Sequence, residues 1–543
     1  MKKIALSEHI EIIYEDDSIY VDKTEYIYHL IKHHERVFYC RPRRFGKSLT
    51  LNIIGTLFEK GVDPYFKGTW IYDKWQEDRY PILRLSFLHF SITDVDKFRR
   101  YLCYDLARFG RMFGIEHLDE EQDPALCLRK LLSALPHGQQ IVVLIDEYDC
   151  QLTANISKVD LYAQFIAVIS DFYAEFTGNK HIRFLAVTGV TRLKSDFIFS
   201  EGTDIEDVSY DHAYARMIGF TRTEIKKYYP DYLKLAVGFE QHKEPAAVTD
   251  KETENLLDRM TEYYAGYCFD ERCEQKVFST WSVKEFLHGL EGNKSTEFES
   301  YHFWFESGGR PAILTNYVAS PELKVQDLLA SAVESSYDVF MNPPSLPFMD
   351  LNVLMCQTGY LTLKSEINMH GSIRLGPPNK EVSFGLARCL CSRFFTSQID
   401  IFTHENFNLL ENGNAGELID LFNNLFALVD HDNYPIDSEA ALKTLVQFYL
   451  LAWGTDVRTE QHNSKDKGRS DLIVNFQKRR MVIELKFSPD GKNSEVLLQE
   501  AINLIEDKEY GTENLLGREL LKIACVFDAA EDHRKITVFK TVV

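Results

Sequence analysis

Arg41-Pro42-Arg43-Arg44-Phe45-Gly46-Lys47-Ser48 decides how the rest of the chain is read. An apolar run, Val37-Phe38-Tyr39-Cys40, precedes it and a helix-patterned run over 49–58 follows, so a strand passes through a basic turn into a helix. That layout suits phosphate. The closing Gly46-Lys47-Ser48 is the end of a G-x-x-x-x-G-K-[ST] loop. In such a loop Gly46 lets backbone N–H groups approach phosphate oxygens, Lys47 reaches the β- and γ-phosphates, and the Ser48 hydroxyl ligates magnesium. Arg43, Arg44 and Phe45 complete the loop residues expected at the nucleotide. Arg41 stands where the first glycine belongs, and a bulky cation there lacks the φ freedom that the turn usually uses. On this stretch alone a basic helix N-terminus fits as well as a nucleotide loop.

A second stretch breaks the tie. Ile141-Val142-Val143-Leu144-Ile145 is a continuous apolar run, as a central parallel strand requires, and it ends in Asp146-Glu147-Tyr148-Asp149. Carboxylates at the C-terminal edge of such a strand sit where α/β sheets bind ligands. Asp146 is expected to hold magnesium through water, and Glu147 to orient or deprotonate the attacking water. The run 182–187 is another buried strand, ending in Thr188-Gly189-Val190-Thr191-Arg192. In this order Thr188 is expected to sense the γ-phosphate, and Arg192 is a weak candidate for stabilising transition-state charge. Between these strands, 94–113 has helical periodicity; beyond them, so do 224–235 and 251–264.

With 543 residues the chain exceeds one ordinary hydrophobic core, and two to four domains are expected. A net charge of −21 excludes a nucleic-acid coat over the whole surface, so any such surface is local. Ten cysteines without a C-x-x-C pair read as reduced thiols, mostly core. No run of eighteen apolar residues occurs and the N-terminus meets charge early, so the expected location is cytoplasmic, away from membranes.

Near the C-terminus, 439–453 is helical in pattern. Asp471-Leu472-Ile473-Val474-Asn475-Phe476 and Met481-Val482-Ile483-Glu484-Leu485-Lys486-Phe487 read as two strands of a hairpin around Lys478-Arg479-Arg480. Period two puts Glu484 and Lys486 on one face, and the hairpin is expected to bring Asp471 alongside. Two carboxylates for Mg²⁺ and one ammonium suit phosphodiester hydrolysis. Between Lys465 and Lys486 seven cations face three anions, a local +4 that can track a phosphate backbone or simply solvate a turn.

Taken together, Tyr20-Val21-Asp22-Lys23-Thr24, Arg41 to Ser48, Leu144 to Asp149, Thr188-Gly189-Val190 and Ile198-Phe199-Ser200 resemble the bacterial AAA-ATPase-like family, usually fused to a PD-(D/E)XK nuclease-like domain. Gly219-Phe220-Thr221, Tyr263-Tyr264-Ala265-Gly266-Tyr267 and Gln357-Thr358-Gly359-Tyr360-Leu361-Thr362 extend the likeness. R-P-R-R-F-G-K-S is the form this family's phosphate loop takes, and Ala265 departs from a commonly polar position. Gly468-Arg469-Ser470-Asp471 with Glu484-Leu485-Lys486 resembles the nuclease core. Glu439 matches its additional metal-linked glutamate, and Leu504 replaces its usual glutamine.

The resemblance implies an α/β protein. A P-loop (ASCE/AAA-like) parallel-sheet domain spans 1–221, a helical lid region 222–345 with Arg310 as a weak lid or trans-acting arginine, a mixed connector 346–410, and a nuclease-like α/β domain 411–543. It implies ATP and Mg²⁺ as cofactors and nucleic acid as partner, with a homo-oligomer left open. The leading expectation is an ATP-regulated nuclease. The alternatives are a nucleotide-dependent switch whose nuclease-like domain binds without cutting, and an ATPase motor or assembly factor.

Overall fold

The computed structural model of the chain describes residues 1–193, 204–290, 303–304, 333–368, 372–395, 401–431, 434–459, 472–476, 478–507, 512, 515, 517–530 and 533–542. Arg310, Asp471, Gly468 to Ser470 and Ile198 to Ser200 lie outside these residues. Among the described residues, the chain up to Asn379 forms one compact unit and the chain from Lys380 onward forms a second.

The first unit is built on a five-stranded parallel sheet. Its strands are β1 (Arg36–Cys40), β2 (Ile82–Ser86), β3 (Ile141–Asp146), β4 (Ile182–Gly189) and β5 (Glu206–Asp207), in the spatial order β2-β3-β4-β1-β5. The apolar residues of β1 and β3 are buried on both faces, so these strands carry no polar alternation. The order places the C-terminal ends of β1 and β3 on either side of β4, at one edge of the sheet. The helix Lys47–Lys60 leaves that edge from β1, and the turn after β3 opens there too.

Around the sheet, helices begin where the sequence supplies caps. Asp94 accepts from Lys97 N–H to start Val95–Gly110, and Asp123 with Pro124 starts Pro124–Ala134. Thr221 with Glu224 and Thr249 with Glu252 form capping boxes at Arg222–Tyr228 and Asp250–Tyr264. The single helix expected over 224–235 is instead two, Arg222–Tyr228 and Pro230–Gln241, because Pro230 lacks the N–H that would continue the first and suits the opening turn of the next.

The second unit carries a mixed five-stranded sheet of β6 (Asp456–Thr459), β7 (Leu472–Asn475), β8 (Arg479–Ser488), β9 (Glu519–Asp528) and β10 (Lys535–Val542), paired in that order. β7 and β8 are antiparallel with Leu472 opposite Ile483, β8 and β9 run parallel, and β10 closes the far edge antiparallel. The helix Ser494–Asp507 makes the crossover from β8 to β9 that a parallel pair requires. All ten cysteines are free thiols. Among the described residues no helix is long and apolar enough to cross a membrane.

Candidate functional site

The phosphate loop takes its left-handed backbone at Arg44 (φ 66°) and Gly46 (φ 105°), so the missing glycine at position 41 costs the turn nothing. Arg41 has another use. Its side chain is 1% exposed, and the guanidinium donates to the carbonyls of Cys40 (2.8 Å), Ser209 (2.6 Å) and Tyr214 (3.3 Å) while lying 4.3 Å from the Phe269 ring centre. Three acceptors and an aromatic face compensate a cation taken out of water. The side chain thereby ties the start of the loop to segments about 170 to 230 residues further on.

The remaining shell also comes from distant sequence. Phe45 is buried edge-on against Tyr267 (4.7 Å) and Phe269 (5.5 Å). Its ring therefore anchors the loop to the core. Trp304 donates from Nε1 to the Arg43 carbonyl at 2.9 Å, and the Thr280 hydroxyl donates to the Arg44 carbonyl at 2.9 Å. The exposed Arg44 guanidinium stacks 4.3 Å from the Trp281 ring centre, and Arg43 is exposed. Gly359 presses against Pro42 so closely that a Cβ there would come within 2.7 Å of the proline. The stretches 263–267 and 357–362, opaque as sequence, are the backing of the loop.

Lys47 is 4% exposed and its ammonium donates to the Pro42 carbonyl at 3.2 Å, inside the loop's own curve. Asp146, at the end of β3, lies beside Ser48 and Lys47: burial pushes its carboxyl up, against the Ser48 hydroxyl and the Lys47 ammonium, which favour the charged form. Glu147 follows in a left-handed conformation (φ 52°), with its N–H donating to Asp146 Oδ1 at 2.9 Å. For a β-unbranched acid this is an uncommon backbone state, and such states concentrate at functional turns. Loop and acidic strand end are thus brought together.

Two sequence candidates are not presented to this edge. Thr188 is fully buried and its hydroxyl donates to the Tyr39 carbonyl at 2.8 Å, stitching β4 to β1. Arg192 is paired with Asp207, donates to the Met341 carbonyl at 2.5 Å, and has both its backbone N–H and carbonyl bonded to Gln357. The polar atoms of both have partners inside the unit. Asp149, which the sequence reading left without a role, is buried and accepts from Val190 N–H, Thr191 N–H and the Thr191 hydroxyl. Gly189 is obligatory beside it, since a Cβ would lie 2.5 Å from Asp149 Oδ1.

In the second unit, Glu484 and Lys486 project from the same face of β8, with Lys486 Nζ 2.8 Å from Glu484 Oε1. Glu439, on the helix Glu439–Leu451, stands 3.9 Å from Lys486 Nζ and 2.9 Å from Lys443 Nζ. Lys443 was missed by the sequence reading, although an i,i+4 Glu–Lys pair is visible once 439–451 is taken as helical. Glu500, from the crossover helix, also contributes negative field at Lys486. Glu484 is 1% exposed; burial raises its carboxyl against the pull of Lys486 and Lys443, and its Oε2 accepts no hydrogen bond among the described residues. A buried carboxylate oxygen lacking a donor fits a divalent cation, whose hard oxygen ligands are of this kind. Among the described residues no three His, Cys, Asp or Glu are grouped to hold a metal.

The basic hairpin is less open than its sequence implied. Arg479 is buried and donates to the Gly413 carbonyl at 2.6 Å, and Arg480 donates to Asn475 Oδ1 at 2.7 Å. Of the three turn cations only Lys478 is exposed, because the other two hold the hairpin.

Residues 3–199 match the family model of a predicted AAA-ATPase, and residues 437–536 match that of the PD-(D/E)XK nuclease superfamily. Over 544 residues, 96% of this chain and 95% of the other, the chain is 26% identical to an uncharacterized protein in the vnfD 5′ region of Azotobacter chroococcum mcd 1. A search of solved structures gives the Walker-type ATPase of Pyrococcus abyssi at a TM-score of 0.34 and 11% identity, covering 67% of this chain and 94% of that one.

Proposed function

Because the chain carries an AAA-ATPase-like domain at its N-terminus and a PD-(D/E)XK nuclease-superfamily domain at its C-terminus, we propose that it is a nucleotide-regulated, metal-dependent nuclease acting on DNA. The observation that carries the nuclease reading is Glu484, a fully buried carboxylate with one oxygen undonated and an ammonium at 2.8 Å from the other. A side chain kept in that state adds little to stability and much to metal affinity.

Glu484 and Asp471 would hold the cation, with Glu439 as an outer carboxylate. A bound Mg²⁺ would supply Lewis acidity toward the phosphate and ease proton loss from the attacking water. Lys486 orients the nucleophile or neutralises charge developing on the phosphate. In the first unit Lys47 would exchange the Pro42 carbonyl for phosphate oxygens, Ser48 and Asp146 would hold the nucleotide's Mg²⁺, and Glu147 would orient water. ATP is the expected nucleotide.

The test is cleavage of plasmid and single-stranded DNA in Mg²⁺ and ATP by the full chain and by its Asp471→Ala and Glu484→Ala variants. Both substitutions should abolish cleavage, and activity surviving both sinks the assignment. A second reading, binding without cutting, draws on Lys443: a second ammonium beside Glu439, together with Leu504 in place of a glutamine, lowers the site's net negative charge and its polar contacts. Tight DNA binding with no turnover in Mg²⁺, Mn²⁺ or Ca²⁺ would favour it.

A further inference from the structure

Cys268 and Cys273 lie at the two ends of a tight turn whose stem pairs Tyr267 with Val277 and Cys268 with Lys276. The turn is pinned from inside. The Asp270 carboxylate accepts from the N–H groups of Arg272 (3.0 Å), Glu274 (3.0 Å) and Gln275 (2.8 Å) and meets His212 Nδ1 at 3.0 Å. Both cysteines lean on one neighbouring strand: Cys268 N–H donates to the Thr362 hydroxyl at 2.8 Å, and Cys273 Sγ lies 3.6 Å from the Leu363 carbonyl. Cys268 Sγ is 3.5 Å from the Asp270 carbonyl, and the two thiols are hydrogen-bonded to each other. Cys273 is left-handed (φ 57°), an uncommon state for a side chain of this size and one that concentrates at functional turns.

We propose that Cys268 and Cys273 form a reactive dithiol that low-molecular-weight disulfides oxidise, and that closing the bond shifts the aromatic groups backing the phosphate loop. The Cys273 thiolate attacks one sulfur of the external disulfide, whose S–S bond breaks and whose other sulfur leaves as a thiolate. Cys268 releases its proton to solvent, attacks the Cys273 sulfur of the mixed disulfide and expels the second thiolate. The chain gives up two thiol hydrogens with their electrons, and the external disulfide takes them up as two thiols. Of the ten cysteines only Cys150 and Cys273 are not buried, and burial beside Glu147 pushes Cys150 up to about 11. The hydrogen bond from Cys268 instead holds the Cys273 thiol below its ordinary range; Lys276 and Lys364 favour the thiolate, and partial burial and Asp270 oppose it. The same bond, with burial, pushes Cys268 up, which suits the resolving partner. Tyr267 and Phe269, on either side of Cys268, hold the Phe45 ring, and Phe269 also faces the Arg41 guanidinium. Hydrogen-bonded sulfurs must close to about 2 Å to bond, so Cys268 is drawn toward Cys273 and its neighbours move with it. The effect on nucleotide rests on the nucleotide reading of Arg41 to Ser48; the thiol chemistry does not.

The experiment treats the full chain with oxidised glutathione and maps its cysteines by mass. The wild type should gain a Cys268–Cys273 bond that dithiothreitol reverses, Cys268→Ala should stop at a glutathione adduct on Cys273, and Cys273→Ala should leave Cys268 unmodified. Cys268→Ser stands in if the alanine variant does not fold. A Cys273 no faster to react than Cys150, or a bond formed elsewhere in place of Cys268–Cys273, overturns the dithiol. Calorimetric titration with ATP in Mg²⁺ then compares reduced and oxidised wild type. Oxidation should weaken binding about fivefold or more, dithiothreitol should restore it, and Cys273→Ala should bind alike before and after treatment. Equal affinity of the reduced and oxidised wild type overturns the coupling to the loop. If the reduced chain binds no ATP, the nucleotide reading fails instead, and the mapped bond alone decides the dithiol.

Discussion

Arg41 is where sequence and structure diverge most usefully. By position it is a failed glycine; in the fold it is a buried clamp with three carbonyl partners, and the loop takes its left-handed residues at 44 and 46 instead. Arg41→Lys keeps the charge and loses the planar fork, so at least one carbonyl is orphaned. It should destabilise the first unit by about 2 kcal/mol in denaturant titration and weaken nucleotide binding as well. A stability equal to wild type would contradict the clamp. Glu484 predicts the opposite sign. Its carboxyl is buried with incomplete compensation, so Glu484→Gln should leave the second unit as stable or more stable by about 1 kcal/mol while removing metal-dependent activity. A large loss of thermal stability would mark it as a structural residue. The meeting of Gly46-Lys47-Ser48 with Asp146-Glu147 at one sheet edge was legible because each motif is local in sequence and each follows a buried strand. The contacts of Thr188, Arg192 and Phe45 were not, because their partners, Tyr39, Asp207 and Tyr267, are set by packing across the unit.

At the level of elements, the parallel strands announced themselves as unbroken apolar runs, and β1, β3 and β4 lie where those runs fall. Segment ends were less legible. Pro230 divides what periodicity joined, since an apolar stripe is blind to one missing N–H. The helix Asp250–Tyr264 carries a clear pH signature at its start. Glu252 accepts from Thr249 N–H and hydroxyl and pairs with Lys243, and these contacts hold its carboxyl at about 2, below an ordinary 4.5. With the folded value depressed, the stabilisation is complete above about 4.5 and is lost as pH falls toward about 2. The thermal midpoint of Glu252→Gln should therefore depend less steeply on pH across that window than wild type; parallel curves would show that the cap contributes nothing to acid stability. On the second sheet, the hairpin was legible from its two apolar runs and the shared face of Glu484 and Lys486 from period two, whereas Lys443 and Glu500 arrive from other elements.

On the scale of the whole molecule, the two proposed sites belong to two compact units, so on the proposed reading each should be disabled without unfolding the other. Lys47→Ala should abolish ATP binding and leave the second unit's thermal transition unmoved; Glu484→Ala should abolish cleavage and leave ATP binding unmoved. The central claim is that the nucleotide site governs the nuclease-like site, and its most direct measurement is the rate of Mg²⁺-dependent DNA cleavage with and without ATP in the wild type, Lys47→Ala and Glu484→Ala. The account predicts cleavage that changes with ATP in the wild type, cleavage indifferent to ATP in Lys47→Ala, and none in Glu484→Ala although it still binds ATP. Cleavage in Glu484→Ala, or a response to ATP in Lys47→Ala equal to that of the wild type, would contradict it.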